Sequence, residues 1–408
     1  MTAATSELRH RAESPYDVSV ESARLFGINS DSMVTVERYN PNAAARDLET
    51  STNILQTYGA VLLDTREISL ADGERLADAV EQTIAEFVPS MQEHWNNEEV
   101  IRRKDYDDAY NDTSRHMRTV DYENIKLHFD CVMRLQEKLL PVIQVLTEDP
   151  EAAISVDLDE ATVGNMQGFD RNADPSDFRE HGAHTDRVDA TAVVCIDNVG
   201  PNGELVVING FTAACKRLGL DPHRNFNANL ERIVNEIPEA ITLRIHPVTR
   251  GAVLVLKSAA DVHYIVPKTL QNVLDGEEAG HQPIPLSADG TEILGRAIIN
   301  MAFETAACRE LDKFAHYLED RYQIHPQAKG NANEFFRALD EALATEIDSL
   351  GAEAAKYGNA FWEAVRSAIV TRFSAKKLYN KEITPGTANG LAPQVGSAAV
   401  ADTTELPS

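Results

Sequence analysis

His184-Thr185-Asp186-Arg187-Val188-Asp189-Ala190-Thr191-Ala192-Val193-Val194-Cys195-Ile196 joins a polar triplet to an apolar run. The apolar and β-branched residues from Ala190 to Ile196 predict a strand. The segment before it, Arg171 to Gly182, reads as a loop, so the triplet is expected where a strand begins. On extended backbone, residues two apart face the same way, which brings the His184 imidazole and the Asp186 carboxylate to one point. The chain holds its own control in His128-Phe129-Asp130. That triplet falls in a helical pattern, where positions i and i+2 point to nearly opposite sides.

Similar runs extend the pattern downstream: Glu204 to Ile208, Ala240 to His246, Ala252 to Leu256, Val262 to Val266 and Arg296 to Phe303. Short strands at close spacing, with few helical patterns between them, predict an antiparallel sandwich or barrel over residues 151–305 rather than a parallel sheet. Residues 1–50 read as an N-terminal arm. Residues 51–150 read as a short buried strand, Tyr58 to Leu63, with supporting helices. The first of these opens on a capping-box-like Ser69 and Asp72 and carries Leu76, Val80, Ile84 and Phe87 on one face. The second spans about 121 to 147, on Ile125, Phe129, Val132, Leu135 and Leu139. Residues 91 to 120 are polar and irregular, as a lid would be. Helical spacing returns over 306–383 in Phe335/Phe336, Leu339, Leu343, Ile347 and Leu350, and again in Trp362, Val365, Ile369 and Phe373. The tail, 384–408, has the composition of a disordered segment.

The totals exclude several classes. With 408 residues the chain can bury a large core without disulfides. Its 38 Lys plus Arg against 65 Asp plus Glu give a formal charge of −27, which repels a phosphate backbone, so no nucleic-acid partner is expected. No apolar run reaches the length of a membrane span. Residues 1 to 16 lack the apolar centre of a secretory signal, so a cytoplasmic protein is expected. Four widely spaced cysteines read as core or incidental thiols.

A second histidine completes the triplet. Gly251 opens the strand Ala252 to Leu256, and after a polar turn His263 appears in Val262-His263-Tyr264-Ile265-Val266-Pro267. Two imidazoles and one carboxylate form the facial triad of non-haem iron, with three positions left open. His246 and His281 compete for the role but follow no comparable glycine-led strand. Downstream, Gly295-Arg296-Ala297-Ile298-Ile299-Asn300-Met301-Ala302-Phe303 is an apolar strand with one guanidinium, suited to bidentate pairing with a carboxylate.

His-x-Asp, a distal His and then an Arg, in this order, resemble the Fe(II)/2-oxoglutarate-dependent oxygenase superfamily. The resemblance covers residues 154 to 305. It implies a mainly β, α+β fold: a double-stranded β-helix, or jelly-roll, with N-terminal helices and a helical C-terminal extension. It also implies Fe(II) on His184, Asp186 and His263, with O2 as oxidant and 2-oxoglutarate as co-substrate paired to Arg296. Ile298 stands where many members have Ser or Thr, and Asn300 is the expected substitute. Asn165 and Gln167 alternate on a preceding strand and are candidates for the same pocket. The stretch between His263 and Arg296 is long for the family. The implied activity is oxidation, by default hydroxylation, of a C–H bond in a small molecule such as an amino acid or natural-product intermediate. Desaturation, cyclisation and epimerisation use the same ligands and stay open. So do a cupin-type metal-binding protein that does not use 2-oxoglutarate, and zinc-assisted hydrolysis. Halogenation is disfavoured by Asp186. Substrate identity and oligomeric state are left undetermined.

Overall fold

The computed structural model describes residues 39–96, 117–119, 130–155, 163–169, 181–184, 186, 188–198, 205–222, 226–237, 242–245, 250–258, 261–265, 284–285, 292–324, 332–357, 361–363, 365–366 and 369–370. Helix α1 (Leu48–Tyr58) starts at Asp47, whose carboxylate accepts the Thr50 N–H at 2.7 Å, and ends at Gly59 with φ 79°. Strand β1 (Ala60–Leu63) follows directly. The expected strand over Tyr58 to Leu63 is therefore two residues shorter, because Tyr58 closes a helix and Gly59 makes the left-handed turn that ends it.

Helix α2 (Leu76–Asn96) begins later than the Ser69/Asp72 pair implied. Ser69 instead bridges Arg75, and the Asp72 carboxylate accepts the Glu74 N–H, so both polar groups serve a turn ahead of the helix. The stripe Leu76, Val80, Ile84 and Phe87 is fully buried, as its spacing predicts. Within the stretch read as a lid, α2 runs on to Asn96 and β2 (Met117–Thr119) forms a strand; 97–116 lie outside the described residues. Helix α3 (Asp130–Leu146) buries Val132, Leu135 and Leu139, while its expected beginning near 121 lies outside the described residues.

The sheet-forming part contains β3 (Ala153–Ile154), β4 (Val163–Phe169), β5 (His181–His184), β6 (Ala190–Asn198) and β7 (Leu205–Ile208). Helices α4 (Phe211–Arg217) and α5 (Phe226–Glu236) come next. Strands β8 (Thr242–Ile245), β9 (Val253–Leu256), β10 (Val262–Ile265), β11 (Ile284–Pro285) and β12 (Glu292–Glu304) complete it. Neither α4 nor α5 was expected. Each is short enough that two or three apolar contacts set its face, too few to make a visible period. Helices α6 (Ala306–Tyr322) and α7 (Ala332–Leu350) follow, and Trp362, Val365 and Ile369 are buried in a further helical stretch. The tail at 384–408 lies outside the described residues.

Two antiparallel sheets result. The larger runs β1-β9-β6-β12-β4-β2, with β3 and β11 also paired to β12; the smaller runs β5-β10-β7-β8. From β4 onward the chain crosses repeatedly: β4, β6, β9 and β12 belong to the large sheet, and β5, β7, β8 and β10 to the small one. Alternating burial separates three apolar layers. Val61, Ala192, Val194, Val255 and Phe303 pack outward with α1 to α3. Val193, Leu254, Leu256 and Ile298 pack inward against Leu205, Val207, Leu243 and Ile245 of the small sheet. Val206, Ile208 and Val262, on the far side of the small sheet, pack with α4 to α7. The order is helices, sheet, sheet, helices. All four cysteines are buried free thiols. Among the described residues, no helix is long and apolar enough to cross a membrane.

Candidate metal centre

His184 is the last residue of β5 rather than the start of a strand, and Asp186 lies in the turn leading to β6. The expected loop before the triplet gives way to strand at His181, because β5 has a partner: it pairs with β10, His263 opposite His184 and Ile265 opposite His181. Two steps along β10 therefore span three along β5, a bulge that includes Gly182. Bulges of this kind re-aim side chains next to functional sites. Directly opposed residues on an antiparallel pair hold their Cβ atoms about 5 Å apart, close enough for two side chains to share one ion.

His263 is buried, 7% exposed, and on its other side faces Val207 of β7 in the ladder. Its Nδ1 lies 3.2 Å from the carbonyl oxygen of Asp261. A carbonyl can only accept, so Nδ1 carries the hydrogen, which leaves Nε2 as the nitrogen that offers a lone pair when a metal binds. That Nε2 is 3.7 Å from Oδ2 of Asp186. At about 2.1 Å per bond, two donors on one ion sit between about 3.0 Å apart at a right angle and about 4.2 Å in line. The separation is too long for a hydrogen bond and falls inside that interval. Among the described residues no third His, Cys, Asp or Glu joins this pair. The His184 side chain lies outside them, while its backbone stands in register with His263. The donor set fits a facial-triad ion: one imidazole with its tautomer fixed from behind, one carboxylate, and a second histidine opposite the first.

Asp186 is held on several sides. Its N–H donates to the Ser258 carbonyl at 2.8 Å, and its Oδ2 accepts from the Thr191 hydroxyl at 3.1 Å. The Ser258 hydroxyl is 2.8 Å from that of Thr191 and 2.9 Å from the Val188 carbonyl. Three residues on, Asp189 accepts the N–H and hydroxyl of Thr305, the N-cap of α6, and burial pushes its carboxyl up to about 6. Asp261 is likewise buried and raised to about 6, its Oδ1 accepting the Gly210 N–H at 3.2 Å. A Cβ on Gly59 would stand 1.9 Å from Oδ2 of Asp261, so the α1 cap and the residue that leads into β10 meet only because Gly59 has no side chain.

The other expected residues form a second group. Arg296 faces Gln167 and Ile298 faces Asn165 across β12 and β4. Arg296 is six residues before Ala302, which faces Thr191, or about 20 Å along the strand. Asn300 is two residues from Ala302, about 7 Å. It is half-buried and faces Val193. Side chains of Arg296, Asn165 and Gln167 lie outside the described residues. Thr191 and Ser258 were not anticipated. Both are common residues that acquire meaning only when β6 and the end of β9 become neighbours.

No family model matches the chain, and no curated protein matches it. Among solved structures it is similar to a prolyl hydroxylase from Trichoplax adhaerens in complex with a hypoxia inducible factor oxygen degradation domain peptide fragment. That match has 12% identity and a TM-score of 0.34, covering 65% of this chain and 91% of the other. A Pseudomonas putida prolyl-4-hydroxylase aligns at 12% identity and a TM-score of 0.31, over 65% of this chain and 98% of that one. A full-length Neurospora crassa protein in complex with alpha-KG aligns at 12% identity and a TM-score of 0.33, over 64% of this chain and 79% of that one.

Proposed function

We propose that this chain is an Fe(II)- and 2-oxoglutarate-dependent oxygenase that hydroxylates a C–H bond of a small molecule, with a double-stranded β-helix as its catalytic core. The observation that carries the reading is the pair at the end of the sandwich: Nε2 of His263, bare by tautomer, 3.7 Å from Asp186, with His184 opposite in the ladder. The repeated crossing of β4 to β12 between the two sheets supports the proposed core.

In this reading His184, Asp186 and His263 hold the iron. When bound, Fe(II) with 2-oxoglutarate and O2 supplies decarboxylation of the co-substrate to succinate and oxidation of the substrate C–H bond. The protein's work is positional. Asp261 fixes the His263 ring, and the apolar layer around Val193, Leu254 and Ile298 excludes water behind the site. Arg296 pairs with the far carboxylate of the co-substrate. Even spacing on β12 puts Arg296, Ile298 and Asn300 in one row, with Asn300 nearer the metal ligands. The long interval to Arg296 makes its substitution a demanding test.

Succinate formation from 2-oxoglutarate should be measured with Fe(II), ascorbate and O2, in the presence of a metabolite library. The wild type is expected to give a metal-dependent signal that His184→Ala and Asp186→Ala abolish. A signal persisting in both variants refutes the ligand assignment. Arg296→Leu is expected to raise the KM for 2-oxoglutarate with metal affinity kept; an unchanged KM removes Arg296 from the site.

A further inference from the structure

The buried hydroxyl pair Thr191 and Ser258 lies directly behind Asp186, and we infer that it is a positioning device that presents one oxygen of Asp186 to a metal ion, an inference that rests on the ligand reading above. Ser258 is 1% exposed and Thr191 7%, so neither hydroxyl is spent on bulk water. Ser258 grips the ligand-bearing turn twice. Its carbonyl accepts the Asp186 N–H at 2.8 Å, and its hydroxyl reaches the Val188 carbonyl at 2.9 Å, fixing the backbone on both sides of residue 187. Thr191 adds the side-chain contact, 3.1 Å from Oδ2, the same oxygen that faces Nε2 of His263.

Counting protons gives the direction of the relay. Three contacts, Thr191 to Asp186, Thr191 to Ser258 and Ser258 to the Val188 carbonyl, share two hydroxyl hydrogens. An ionised carboxylate and a carbonyl can only accept. The Thr191 hydrogen therefore points at Asp186, and the Ser258 hydrogen is shared between the Val188 carbonyl and the Thr191 oxygen. When it points at Thr191 it polarises the Thr191 O–H toward the carboxylate. The result is a directional hold on Oδ2 that fixes the rotation of the carboxylate. β-Sheet register supplies the proximity, since Thr191 faces Leu256, two residues before Ser258, on the neighbouring strand. Outer contacts of this kind set ligand orientation, and their loss typically costs about 10–100-fold in metal affinity.

Co(II) serves as a redox-stable probe, titrated anaerobically into the metal-free full-length protein while affinity and the visible ligand-field spectrum are followed. Thr191→Val keeps the shape and removes the hydroxyl. It is expected to weaken Co(II) binding about 10–100-fold and alter the spectrum, with Thr191→Ser recovering most of the loss and Ser258→Ala falling between. Co(II) affinity and spectrum unchanged in Thr191→Val, with binding lost in Asp186→Ala, would overturn the positioning role and leave the ligand reading standing. Equal weakening in Thr191→Val and Thr191→Ser would assign the effect to packing and also overturn it. Co(II) binding that Asp186→Ala leaves intact would refute the ligand reading, and the positioning role with it.

Discussion

Strand β6 faces two ways. Ala190, Ala192, Val194 and Ile196 pack against the helical layer of α1 to α3, while Thr191 and Val193 face the small sheet. The same alternation divides β12, where Ile299, Met301 and Phe303 go to the helical side and Ile298 to the inner one. Among the described side chains the outer face is apolar, whereas the inner face joins apolar Val193 and Ile298 to Thr191 beside Asp186. Period-two geometry thus lets one strand build the core and the chemistry independently, and a substitution on one face should spare the other.

Asp186→Ala should break that comparison most visibly: 2-oxoglutarate turnover falls to background, while the urea-unfolding midpoint of the metal-free protein moves little. Phe303→Ala should do the reverse. Phe303 is fully buried in the outer layer, so its truncation is expected to cost about 3–5 kcal/mol in unfolding free energy. The folded fraction should keep wild-type Co(II) affinity. A Phe303→Ala protein of normal stability but weakened Co(II) binding would show that the two faces are coupled.

Gly59→Ala comes next. The position combines φ 79° with a Cβ 1.9 Å from Asp261, so a loss on the order of 1–3 kcal/mol is expected. Because Asp261 also holds the His263 ring through its carbonyl, weaker Co(II) binding should accompany it; unchanged affinity would mean that the ring is held independently of the α1 cap.

The smallest effect concerns pH. Burial raises the Asp261 carboxyl from 3.8 to about 6, and Asp189 likewise. The folded state therefore binds these protons more tightly than the unfolded state. Their stabilising contribution is full below 3.8 and lost as the pH rises through about 6. Asp261→Asn removes one such group. Relative to the variant, the wild type should gain about 2 kcal/mol between about pH 7 and about pH 4. Parallel stability curves for the two proteins would mean that the carboxyl titrates normally.

Several elements could be read in one dimension because their determinants are local. The strands around Val194, Leu254 and Ile299 follow from short β-branched runs, and the stripe from Leu76 to Phe87 follows from helical spacing. His184, Asp186 and His263 stood out by order and context. Local signals misled where a cap and its helix were separated: Ser69 and Asp72 look like a helix start but serve the turn before Leu76, and the Asp47 cap of α1 was overlooked. Helices α4 and α5 were missed because their faces are set by the small sheet they cover.

By itself, then, the sequence determined which segments alternate and where the apolar stripes run, since both depend on neighbours a few positions away. Tertiary structure alone decided that His184 stands opposite His263 and that Ser258 closes on Thr191 and Asp186. Those neighbours lie tens of positions apart in the chain, and only the pairing of β5 with β10 and of β6 with β9 brings them together.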